Sequence, residues 1–142
     1  MKRIFSTILM FCLLFSFCGS ALAADAEVFS SPTLSRYTAQ LSRGSSSGKI
    51  TVSYRVGASA STTITSIGVS SIKIYKANGT YVTTITGTTS NGLVDRNASS
   101  HSGTYTYSGV SGTSYYAKVT MFATAGGITD SGTVKTNTVT AP

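Results

Sequence analysis

The chain is predicted to be all-β, a single antiparallel β-sandwich of about seven strands, and three observations predict it. Residues 49–56 alternate without a break, Ile50, Val52, Tyr54 and Val56 against Lys49, Thr51, Ser53 and Arg55. A two-residue period gives a strand one buried and one wet face. Similar segments recur at roughly eight to fifteen residues between Gly, Ser and Asn clusters, the spacing of an antiparallel sandwich. Finally, Thr, Tyr, Val and Ile are abundant while Leu, Glu and Lys are scarce, which favours strand over helix.

Three stretches divide the chain: residues 1–23, a cleavable signal-peptide helix; residues 24–32, a flexible polar leader; residues 33–142, the sandwich. Met1-Lys2-Arg3 is a basic start, residues 4–18 are apolar, and Ala21-Leu22-Ala23 places small residues before a cut preceding Ala24. A membrane anchor needs about 20 apolar residues, and this run is shorter. Phe17 before Cys18 does not suit a lipoprotein signal. The expected location is therefore secreted and extracellular, with no stable membrane insertion once the leader is removed. Both cysteines, Cys12 and Cys18, leave with it, so strand packing alone must stabilise the exported domain.

Removing Lys2 and Arg3 reduces eleven basic residues to nine, against four acidic ones, a net charge near +5. The nine are dispersed along the strands. Such charge supports solubility and favours anionic surfaces such as wall polymers. A nucleic-acid binder would show a stripe of Lys and Arg, so no nucleic-acid partner is expected.

Residues 34–42 form the first strand, with Tyr37, Ala39 and Leu41 inward, and 49–56 the second. Residues 57–65 are expected to connect, with Ile64 and Ile67 as plugs beneath the loop. The third strand, 69–76, sets Ile72 and Ile74 against Lys73 and Tyr75. Asn78-Gly79 is a tight-turn signal, and 81–86 returns with Tyr81, Thr83 and Ile85 on one face. Residues 87–102 lose the pattern and carry the only His, at 101. Residues 103–108 and 114–123 resume it, the latter with Tyr115, Ala117, Val119 and Met121 alternating against Tyr116, Lys118, Thr120 and Phe122. Gly126-Gly127 turns the chain into a last strand over 132–140, carrying Val134, Thr136 and Thr138 inward, or Val139 where a bulge shifts the register. No wall-sorting motif or apolar tail follows, so no covalent tether is expected.

Gly112-Thr113-Ser114-Tyr115-Tyr116-Ala117-Lys118-Val119 resembles the sixth strand of immunoglobulin-like and fibronectin type III-like modules. The resemblance implies that the Tyr115 hydroxyl bonds back to the preceding loop, and that residues 133–140 make the last strand. Where that family carries a Trp on its second strand, Tyr54 is the only aromatic here. The whole chain also resembles a group of small uncharacterised secreted proteins of Gram-positive bacteria. The shared segments are Gly48-Lys49-Ile50-Thr51-Val52, Ile67-Gly68, Ile72-Lys73-Ile74-Tyr75, His101-Ser102-Gly103, Tyr115 to Val119 and Thr136-Asn137-Thr138-Val139. This likeness implies fold and export, and transfers no catalytic residue.

His101 with Asp95 and a nearby serine nominally suggests a hydrolase triad, but no Gly-x-Ser-x-Gly elbow presents a nucleophile. Asp95-Arg96-Asn97-Ala98-Ser99 spaces oxygen donors like a calcium loop but lacks the turn Gly and distant Glu. One His and no exported Cys argue against zinc. No catalytic residue, metal or cofactor is therefore expected, and the protein is expected not to be an enzyme. The candidate site is a wet sheet face bearing Tyr75, Tyr81 and Tyr116 with Lys73 and Lys118, suited to a wall polymer, glycan or protein at the cell surface; a solvent-facing aromatic ladder is the plainer account. The alternatives are a structural protein that self-associates weakly through edge strands and a small secreted toxin or bacteriocin-like protein.

Overall fold

A computed structural model describes residues 33–59 and 63–142. The expected leader over 1–23, the segment 24–32 and part of the connector, 60–62, lie outside them. The described residues contain no helix, hence none long and apolar enough to cross a membrane. They form nine strands: β1 (Leu34–Arg43), β2 (Lys49–Ala58), β3 (Ile64–Lys76), β4 (Tyr81–Thr86), β5 (Val94–Arg96), β6 (Ser100–Ser108), β7 (Ser114–Ala125), β8 (Ile128–Lys135) and β9 (Val139–Thr140). Every pairing is antiparallel. One sheet has the order β1-β2-β6; the other runs β4-β3-β7-β8, with β5 on β3 and β9 on β7. The sheets stack in a sandwich-like arrangement, β6 over β3, β2 over β3 and β7, and β1 over β7 and β8.

The alternation of β2 is realised: Ile50, Val52 and Val56 are fully buried and Tyr54 nearly so. Each buried aliphatic side chain of this size is worth roughly 1.5–3 kcal/mol. Tyrosines fill the wider spaces where glycines stand opposite. A Cβ on Gly132 would fall 2.3 Å from the Tyr37 ring, one on Gly103 2.6 Å from the Tyr54 hydroxyl, and one on Gly109 2.8 Å from the Tyr115 ring. The buried Tyr115 hydroxyl accepts the Val110 N–H at 2.9 Å.

Seven expected strands become nine because β5 is new and the last strand is broken. Thr136 turns inward, its hydroxyl accepting the Ala117 N–H at 2.9 Å, and pairing resumes only at Val139. The third strand also starts earlier than expected. Thr65 and Ser70 are extra residues between paired positions of β3 and β7, so Ile64, Ile67, Val69 and Ile72 all reach the core despite breaking a strict period of two. The extra residues are hydroxylated, as is Ser35 on β1. Thr65, Ser70 and Ser35 each donate to a carbonyl of the neighbouring strand, at 3.1, 3.1 and 3.0 Å.

A further bulge corrects β4. Tyr81 pairs with Tyr75 and Thr83 with Ile74, leaving Val82 between them. Tyr81 therefore faces outward while Thr83 and Ile85 face the core side. The preceding turn is a three-residue loop in which Gly79 alone takes positive φ, with the Gly79 N–H donating to the Lys76 carbonyl at 2.9 Å. Asn78 instead accepts the Thr80 N–H through its side chain. Gly126 and Gly127, both at positive φ, make the tighter two-residue hairpin joining β7 to β8.

Candidate functional site

The outward face of the larger sheet is built in rows set by its register. Thr84, Lys73, Lys118 and Lys135 stand directly opposite one another across β4, β3, β7 and β8. The next row is Tyr81, Tyr75 and Tyr116. All five residues singled out from the sequence thus lie on one face, in two adjacent rows. Lys135 belongs with them and was missed. Its place beside Lys118 follows from the β7–β8 pairing, which the alternation of the last strand does not reveal.

The rings do not lie flat. Tyr75 and Tyr116 stack face to face, with centroids 5.2 Å apart and planes 7° from parallel. Tyr81 meets Tyr75 edge-on at 5.7 Å. The Lys118 ammonium sits 5.4 Å from the Tyr75 centroid and that of Lys135 4.6 Å from the Tyr116 centroid. The Tyr75 and Tyr116 faces are therefore turned to each other and to lysines, and the surface presents ammonium groups and phenol edges. Tyr81 is the most open of the three, 54% exposed, with its hydroxyl 3.0 Å from that of Thr84.

Charge distinguishes this face. Like charges directly opposite on neighbouring strands repel, yet Lys73 faces Lys118 and Lys118 faces Lys135. Strands about 4.8 Å apart place the outer two Cα atoms of the row about 10 Å from each other. Cation–π contacts of about 0.5–1 kcal/mol at exposed sites offset part of the repulsion. No carboxylate answers the lysines among the described residues: Asp95 pairs with Ile67 and Asp130 with Ala123, which places both on the other side of the sheet from the lysine row, Asp95 exposed there. On the smaller sheet, by contrast, Arg55 lies between Thr38 and Ser102, and Lys49 pairs with Ser108.

His101 stands on β6 and not in a loop as expected. Its Nε2 lies 3.1 Å from the Gly92 carbonyl and 3.2 Å from the Tyr54 hydroxyl, which itself donates to Gly92 at 3.1 Å. Nδ1 is 3.9 Å from Asp95. The nitrogen that would activate a serine is thus occupied in fastening the loop before β5. Asp95 also accepts the Arg96 N–H at 2.8 Å. Among the described residues no three His, Cys, Asp or Glu side chains gather as a metal site.

Comparison of the chain with family models, characterised proteins and solved structures returns no match. The chemistry of the face therefore has to be read from its own residues.

Proposed function

We propose that the protein is a secreted, non-enzymatic immunoglobulin-like module that binds an anionic polymer of the cell surface through Lys73, Lys118 and Lys135, with Tyr75, Tyr81 and Tyr116 beside them. The observation that carries this reading is the row of mutually opposed lysines on a face that has no carboxylate among the described residues. Such a row is unfavourable alone and is relieved by a polyanion laid across it. Two stacked antiparallel sheets, together with the Tyr115 hydroxyl bonded to the corner before β7, support the immunoglobulin-like and fibronectin type III-like assignment. The leader in residues 1–23 supports export.

The test is co-sedimentation with purified cell walls, intact or stripped of their anionic polymers. The wild-type protein is expected to pellet with intact walls only, and the Lys73→Gln, Lys118→Gln, Lys135→Gln triple variant to stay in solution. Equal retention of the variant removes the assignment of this surface.

A second reading, self-assembly, is favoured by one edge. β6 is nine residues long, pairs with β2 without a bulge and carries no Lys, Glu, Asp or Pro, the residues that blunt sheet edges. Analytical ultracentrifugation tests it: reversible growth in mass with concentration supports pairing, and a constant monomer mass dismisses it.

A further inference from the structure

A cleft of about 720 Å³ opens on the same sheet face, lined by Ser66, Ser70, Thr86, Thr89, Arg96 and Phe122 among others. It exists because the edge of β3 changes partner. β4 leaves after the Ser71–Thr86 pair and β5 joins at Gly68–Val94, with residues 87–93 crossing between. Phe122 has Gly68 on one side and Ser131 on the other, so no bulky cross-strand neighbour flanks its ring. Gly68 cannot readily be replaced: at φ +151° its Cβ would lie 2.3 Å from the Leu93 carbonyl oxygen. The passage of the loop thus keeps the space beside Phe122 open.

The walls are fixed in advance. The Val69 N–H donates to Leu93 at 2.7 Å and the Gly87 N–H to Ser70 at 2.9 Å. The Asn91 carboxamide accepts from Thr88 at 3.0 Å and donates to Thr86 at 2.8 Å. Thr65 and Ser70 spend their hydroxyls on strand carbonyls. The hydroxyls of Ser66, Thr86 and Thr89 and the Arg96 guanidinium have no hydrogen-bond partner among the described residues. A rigid site with one aromatic ring, a few free hydroxyls and one guanidinium suits a small polar ligand carrying an anionic group. The guanidinium fork matches a carboxylate or phosphate, and the ring and hydroxyls match the apolar and polar sides of a sugar.

We infer that this cleft binds an anionic sugar, a pyranose bearing a carboxylate or a phosphate, with Arg96 on the charge and Phe122 against the ring. The inference rests on the polyanion reading of the face and narrows it to a polymer with anionic sugar units. Lys118 and Phe122 are four residues apart on β7, about 13 Å at strand rise, so one chain following β7 reaches both.

Amide-resolved NMR titration of the full exported chain with galacturonate, glucose 6-phosphate and glucose tests it. Galacturonate or glucose 6-phosphate is expected to shift the Gly68, Arg96 and Phe122 amides, and the better of the two identifies the charged group. Glucose is expected to bind at least about tenfold more weakly, and Arg96→Gln to lose about tenfold in affinity for the acidic sugar, as for one charge-assisted contact. Arg96→Lys, which keeps the charge without the fork, is expected to recover only part, with amides outside the cleft unchanged in both variants. Equal binding of glucose, unaltered affinity in Arg96→Gln, or shifts confined to the lysine row overturn the inference. The lysine variant in wall co-sedimentation reads out separately, so failure of the cleft and failure of the polyanion reading are distinguishable.

Discussion

Asn137 occupies both main-chain groups of Leu41: its Oδ1 accepts the Leu41 N–H and its Nδ2 donates to the Leu41 carbonyl, each at 2.9 Å. β1 is the outer strand of its sheet, so this carboxamide stands where a further strand would pair. Asp130 accepts the N–H of Thr33, the residue just before β1, at 2.9 Å. The break between β8 and β9 thus has a use, since it frees Asn137 to cap the opposite edge.

Replacing Asn137 by Ala is expected to destabilise the fold by about 2 kcal/mol, two hydrogen bonds at about 1 kcal/mol each. Asn137→Asp keeps only the acceptor and is expected to leave the Leu41 carbonyl unpaired. Urea unfolding measures both, and an Asn137→Ala midpoint equal to wild type refutes the capping role.

Tyr115→Phe removes the bond to Val110 while keeping the packed ring. A loss of about 1 kcal/mol is expected. Gly109→Ala is expected to cost more, about 1–3 kcal/mol, because its methyl would enter the space of the Tyr115 ring. Thermal denaturation of the two variants checks the order, and a Gly109→Ala protein as stable as wild type contradicts it.

Stability is expected to fall at alkaline pH through two tyrosines. Burial pushes the Tyr54 hydroxyl above its usual 10.0, and burial, then the neighbouring Tyr115, pushes Tyr107 the same way. A group with a raised folded value holds its proton longer folded than unfolded, so the folded state binds more protons over that window. Its contribution is complete below the unfolded value and is lost as pH climbs through the folded one. The melting temperature should hold to about pH 10 and drop above it, less steeply in the Tyr54→Phe, Tyr107→Phe double variant. Parallel curves for the two proteins would rule out this origin.

Much of the fold was legible where side-chain order is uninterrupted. β2 and β7 keep strict alternation, and their core residues are those the sequence marks. Legibility failed at bulges: Thr65 and Ser70 shift the phase of β3, so Ile64 and Ile67 read as loop plugs, and Val82 shifts β4. β5, with only Val94, Asp95 and Arg96, is too short and too charged to show a period. Its place is set by β3, a partner remote in sequence.

For the candidate face, the direction of Tyr75, Tyr116, Lys73 and Lys118 could be read from parity within each strand. Their arrangement could not. Stacked rings, opposed lysines and the addition of Lys135 depend on registers between strands, which the bulges and the β8–β9 break set. The open space beside Phe122 likewise depends on Gly68 meeting it across β3 and β7.

The most direct measurement is the affinity of the chain without residues 1–23 for linear inorganic polyphosphate, with neutral dextran as control, as salt is raised. Between about 0.1 and 1 M the screening length falls from about 10 to about 3 Å, comparable with the spacing of the lysine row. Polyphosphate binding that weakens steeply with salt and is largely lost in the Lys73→Gln, Lys118→Gln, Lys135→Gln variant is the predicted result; no binding at low salt, or equal binding by that variant, contradicts it.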